Sequence, residues 1–118
     1  MMQPSPTMQR VITALAAAFG APLESRQLYI RLELDGYMPL VIERAGRDAI
    51  SVTHYYTQNG DTIADPDVLF LVTADGWVPV EVQHPSSYHD YRGDPAGQRS
   101  LAAFAELWAR NIEAQGWH

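Results

Sequence analysis

Residues 49–72 read AISVTHYYTQNGDTIADPDVLFLV, two apolar runs separated by a polar stretch. In the first run Ile50, Val52, His54 and Tyr56 alternate with Ser51, Thr53 and Tyr55, the period of a strand with one buried face, ending near Thr57. In the second, Val68 to Val72 is continuously apolar, as in a strand covered on both sides or lying centrally in a sheet. Asn59-Gly60 and Asp65-Pro66 are turn dipeptides, so Gln58 to Pro66 reads as a shaped loop carrying Asp61 and Asp65.

The same pattern continues outward on both sides. Downstream, Asp75-Gly76 is a hairpin turn leading to a fifth strand, in which Val78, Val80 and Val82 alternate with Pro79, Glu81 and Gln83. Upstream, Leu28, Ile30, Leu32 and Leu34 alternate with Tyr29, Arg31 and Glu33, then Asp35-Gly36 turns the chain into a second strand from Met38 to Arg44. Pro39 has no N–H to give to a ladder and marks an edge or a bulge.

The period is helical at both ends of the chain. Met8, Val11, Ile12, Leu15, Ala18 and Phe19 recur on one face between a capping Thr7 and Gly20. Leu101, Phe104, Ala105, Trp108 and Ile112 do so between Pro95 or Gln98 and Gln115, with Gly116 as the C-cap. The fold class is therefore α+β: an N-terminal helix, a five-stranded antiparallel meander and a C-terminal helix packed on the sheet. Residues 1–118 form a single domain, with 1–6 a flexible lead-in and 84–97 a polar loop.

Composition narrows the function classes. The chain has 118 residues and no cysteine, which excludes a disulfide framework and thiol catalysis. Fourteen acidic against eight basic side chains leave a net charge of −6 without a basic cluster in sequence, so direct nucleic-acid binding is not expected. No apolar run approaches the roughly 20 residues of a membrane span, and no signal-peptide pattern opens the chain. A cytoplasmic protein without a membrane partner is the expectation.

In a meander, strands one, three and five end at the same rim, which would gather His54, Tyr55, Tyr56, Gln58, Asn59, Asp61 and Asp65 with His84. These are the candidate binding residues. Imidazole and carboxylate suit a transition metal, and His54, Asp61, Asp65 and His84 are the metal candidates, although HExxH and EF-hand spacings are absent. The competing reading makes His54, in phase with Ile50 and Val52, a hydrogen-bonded core residue, and makes Asp61 and Asp65 local loop supports. Tyr55, Tyr56, Tyr88 and Tyr91 with Trp77 would offer an aromatic contact surface. No nucleophile stands with a base in a recognisable triad, and no cofactor motif occurs.

The runs MPLVIE, ISVTHYYTQNGDTIADPDVLF, GWVPVEV and FAELWARNIEAQGW resemble a family of small uncharacterised proteins encoded on bacterial mobile elements, conjugative plasmids and phages. The similarity spans residues 38–117. Its specific part is HYYxQNGDxxxDP, matched at His54, Tyr55, Tyr56, Gln58, Asn59, Gly60, Asp61, Asp65 and Pro66. That family is a domain of unknown function, so the resemblance implies a shared fold and a genomic setting without a reaction. Three functions follow as expectations. The first is a non-enzymatic accessory protein binding another protein through the polar rim and tyrosine-bearing sheet face. The second is a small metal-binding or metal-dependent hydrolytic domain, and the third an acidic anti-defence mimic of nucleic acid. A homodimer through an exposed strand edge, at strand two or strand five, is left open.

Overall fold

The computed structural model describes residues 2–117. Helix α1 (Pro6–Phe19) is followed by strands β1 (Tyr29–Leu32), β2 (Leu40–Gly46), β3 (Ala49–Gln58), β4 (Asp61–Thr73), β5 (Gly76–His84) and β6 (Ser87–Asp90), and then by helix α2 (Pro95–Gln115). Every strand pairs antiparallel with its sequence neighbour, giving one open sheet in the order β1-β2-β3-β4-β5-β6.

Both helices lie on the same side of this sheet. Met8, Val11, Ile12 and Ala16 of α1, and Leu101, Ala105, Trp108, Ala109 and Ile112 of α2, share one buried cluster with Ile30, Leu32, Leu40, Ile42, Ile50, Val52, Val68 and Phe70. These strand residues have the same parity, so one sheet face is committed to the core and the other carries no helix. Helix α1 ends where Gly20 takes φ 85°, its N–H reaching the carbonyls of Ala16 and Ala17. Gly116 ends α2 in the same conformation, and Asp94 caps its start by accepting the Gly97 N–H at 3.1 Å. Phe19 and Phe104, expected on the buried stripes, lie toward their edges and are exposed.

The sheet has six strands rather than five. The sixth, Ser87–Asp90, pairs with β5 inside the segment that reads as a loop. All four of its residues are exposed, so no apolar alternation marked it. The edges of the sheet are accordingly β1 and β6, while β2 and β5, the edges expected for a homodimer, each have a strand on both sides.

Most of the expected loop from Gln58 to Pro66 is also strand. Tyr55 pairs with Ala64, Tyr56 with Ile63, Thr57 with Thr62 and Gln58 with Asp61. Asn59 and Gly60 alone form the turn, with φ of 53° and 85°. Two consecutive positive φ angles match the right-handed twist of the flanking strands, which is why Asn-Gly closes so tight a hairpin. The cis Asp65–Pro66 bond sits where the β3–β4 register shifts, opposite His54, so this dipeptide bends a strand instead of ending one. By contrast, Asp35-Gly36 does not close a two-residue hairpin. Leu32 pairs with Leu40, and residues 33–39 form the connection.

Two further irregularities shape the sheet. Ala45 is an extra residue between the Arg44–Ile50 and Gly46–Ala49 pairs, and Val80 is an extra residue between the Phe70–Pro79 and Leu69–Glu81 pairs. A proline beside a bulge leaves no ladder bond missing. The bulge also breaks the expected alternation of β5: Val82 joins the core with Trp77, while Val78 pairs with Leu71 on the opposite face.

The lead-in at residues 2–5, expected to be flexible, is tied down. The Ser5 N–H donates to the Trp77 carbonyl at 2.7 Å. The Gln98 amide accepts from the Gln3 N–H at 2.6 Å and donates to the Gln3 carbonyl at 2.8 Å. Ser5, not Thr7, is the N-cap of α1, and the Thr7 N–H is instead accepted by the Glu106 carboxylate of α2 at 3.0 Å. This ties the start of one helix to the flank of the other.

Candidate functional site

Residues opposite one another in antiparallel strands project to the same side, so the register maps the face that carries no helix. One row across it is Tyr29, Glu43, Ser51, Leu69, Glu81 and Asp90. The adjacent row is Arg31, Val41, Thr53, Asp67, Gln83 and Tyr88. Their centre is concave, a cavity of about 400 Å³ lined by Glu43, Ser51, Asp67, Leu69, Glu81, Gln83 and Tyr88 among others.

Short polar contacts hold these side chains in place. The Ser51 hydroxyl donates to Asp67 Oδ1 at 2.5 Å and lies 3.4 Å from the Thr53 hydroxyl. The Tyr88 hydroxyl donates to Glu81. Arg92, just beyond β6, pairs with Glu81 at 2.9 Å and Asp90 at 2.8 Å. The Glu43 carboxylate has no hydrogen bond or ion pair among the described residues. The Tyr55 phenol is pushed above its ordinary pKa, first by burial and then by the negative charges of Asp67 and Glu43, while the Thr53 hydroxyl opposes the shift. Tyr88 is raised too, chiefly because its hydroxyl already donates to Glu81.

Chemically this surface is acidic and aromatic. Glu43, Asp67 and Glu81 supply three carboxylates, Arg92 compensates one of them, and the tyrosines add flat amphipathic area. Arg44 also lines the cavity, but its guanidinium is engaged with the Leu23 and Arg47 carbonyls. No histidine is hydrogen bonded to the Ser51–Asp67 pair among the described residues.

The expected rim residues divide between this surface and other places. His54 is buried, with 8% of its area exposed. Its Nδ1 lies 3.2 Å from the Met38 carbonyl and 3.3 Å from that of Pro39. Both are acceptors, so Nδ1 carries the proton. The ring packs against Trp108 and Trp117 with centroids 5.6 and 5.7 Å away. Burial lowers the His54 pKa, with the two backbone hydrogen bonds opposing, and the neutral ring is the favoured form. His54 thus sits in the wall between the sheet, α2 and the C-terminal Trp117.

Tyr55 is on the helix-free face, and Tyr56, in phase with His54, is half-buried on the other. Gln58, Asn59 and Asp61 are exposed at the tip of the β3–β4 hairpin. Asp65 meets His84 Nδ1 at 3.2 Å, the one pair of candidate metal residues that the fold brings together. Among the described residues no three His, Asp or Glu side chains gather in an arrangement that holds a metal. No helix among them is long and apolar enough to cross a membrane.

Glu43, Ser51, Glu81 and Gln83 were not among the candidates. Their signal was parity: each alternates with a core residue. It was obscured in β5 by the bulge at Val80.

No curated protein and no solved structure matches the chain. A family model described as a domain of unknown function (DUF6908) matches residues 10–118, nearly the whole of it. The chain therefore belongs to the DUF6908 family.

Proposed function

We propose that the protein is a non-enzymatic accessory protein that binds an extended, basic segment of a partner protein on the helix-free face of its sheet. The observation that carries this reading is the concave patch of Glu43, Asp67 and Glu81, flanked by Tyr55 and Tyr88, with Arg92 the cation opposing it. A surface on which one sign predominates attracts the opposite charge and suppresses like-charged partners. Tyrosines beside it add contact area at small entropic cost, since each orders only two side-chain torsions. The polar hairpin tip at Gln58, Asn59 and Asp61 extends the same strands and would form the rim of the surface. The resemblance carried by HYYxQNGDxxxDP supports placing this accessory role in a bacterial mobile element.

Chemical-shift mapping tests the location. A peptide of alternating lysine and valine, titrated into the labelled protein, should give saturable shifts at Glu43, Ser51, Tyr55, Asp67, Gln83 and Tyr88. The matching glutamate–valine peptide should give none. Shifts confined to the helical side, or equal responses to both peptides, would remove the reading.

A further inference from the structure

We propose that a second cleft, formed by Arg26, Arg44 and Arg47, is an oxyanion site that takes the phosphate group of a small phosphorylated molecule. The sequence gives no hint of it, because Arg26 lies in the connection between α1 and β1 while the other two lie at the β2–β3 turn. The fold joins these segments: the Arg44 N–H donates to the Leu28 carbonyl at 3.0 Å, and the Arg44 side chain donates to the Leu23 carbonyl. The resulting cavity, about 710 Å³, is lined by Arg26, Arg44, Ala45, Gly46 and Arg47.

In a chain with fourteen acidic and eight basic side chains, a cleft lined by three arginines and no carboxylate runs against the overall charge. Arg10, Arg31 and Arg92 are paired with carboxylates. Arg26, Arg44 and Arg47 have no such partner among the described residues, nor do Arg99 and Arg110 on α2, so what distinguishes the three is that they line one cleft.

Arg44 is the fixed element of the three. Its Nη1 donates to the Arg47 carbonyl at 3.3 Å, its other terminal nitrogen is held by Leu23, and its Nε is buried without an acceptor. The enclosed Nε is out of an anion's direct reach, but a half-buried guanidinium without a counter-ion still favours an anion beside it through its charge. Arg26 and Arg47 are exposed and can close on that anion from the side. Planar guanidinium forks match phosphate oxygens in pairs, which is why arginine recurs at such sites.

The size of the cavity lies within the range of small-molecule sites and well beyond a lone phosphate, so the phosphate is one end of a larger ligand. A nucleic-acid strand fits less well, because it needs a longer basic track and aromatic platforms, and no aromatic side chain lines the cleft.

The test follows the arginine Nε–H resonances of the whole chain while inorganic phosphate, and separately glycerol phosphate, is titrated. Both should shift Arg44 Nε–H saturably. The variant Arg26→Gln/Arg47→Gln should bind each probe about tenfold more weakly or worse, as expected on losing two charge-assisted contacts. Because both residues are exposed, the urea midpoint of the variant should match the parent and show that the fold is intact. No saturable shift with either probe would overturn the proposal, as would equal binding by the folded variant. So would binding of a single-stranded oligonucleotide without binding of glycerol phosphate.

Discussion

Replacing Gln98 by leucine should destabilise the protein by about 2 kcal/mol, and the cost should depend on the N-terminal segment. Gln98 is wholly buried, and its amide makes three hydrogen bonds: from the Gln3 N–H at 2.6 Å, to the Gln3 carbonyl at 2.8 Å and to the Pro79 carbonyl at 3.0 Å. At about 1 kcal/mol net for each bond the loss is about 3 kcal/mol, and the apolar replacement returns about 1 kcal/mol by burying hydrocarbon. In a chain that begins at Pro4 the two bonds to Gln3 no longer exist. There the same substitution removes only the Pro79 bond, and its cost should fall to near zero. Urea unfolding of the four proteins forms a double-mutant cycle whose coupling should be about 2 kcal/mol. A Gln98→Leu protein within about 0.5 kcal/mol of the parent, or the same cost in both backgrounds, would refute the strap between Gln3, β5 and α2.

The His54 ring is favoured neutral in the folded chain, so its pKa there lies below the unfolded value of about 6.5. Its contribution to stability is complete above that value and is lost as pH falls through the folded pKa. His54→Phe should flatten the fall of the urea midpoint below about pH 6.5, with the other histidines cancelling in the comparison, and an unchanged slope would refute it. Gly97→Ala should cost about 1–3 kcal/mol, because a Cβ there runs into the Tyr91 ring and the capping Asp94 carboxylate; an unaltered melting temperature would be contrary. Gly60→Ala should cost about 1 kcal/mol through its φ of 85°, and an equally stable variant in urea would show that the Asn59-Gly60 turn can re-form otherwise.

The helices were legible because their apolar residues recur over several turns and because Gly20 and Gly116 stand where left-handed caps form. Strands β1, β3 and β5 were legible through alternation, β2 as the return after Asp35-Gly36 and residues 68–72 of β4 as a continuous apolar run, and the core role of His54 through its phase with Ile50 and Val52. Strand β6 was not, because Ser-Tyr-His-Asp at an exposed edge buries neither face and leaves no pattern. Two turn dipeptides of similar strength had different fates. Asn59-Gly60 closes a hairpin, while Asp65-Pro66 is absorbed into β4, and nothing local distinguishes them. The make-up of the helix-free face was hidden for a related reason. Tyr55 could be placed by counting in twos, but the extra residue Val80 breaks the count before Glu81 and Gln83. The arginine cleft depends on two segments meeting across the α1–β1 connection, which no single stretch of sequence encodes.

The role proposed for the helix-free face is tested most directly by calorimetric titration of the lysine–valine peptide into the parent protein and into Glu43→Gln/Asp67→Asn. Removing two of the three carboxylates should weaken binding about tenfold without altering the urea midpoint by more than the Ser51–Asp67 hydrogen bond, about 1 kcal/mol. Equal affinity for the two proteins, or no binding to the parent, would contradict recognition of a basic segment by Glu43, Asp67 and Glu81.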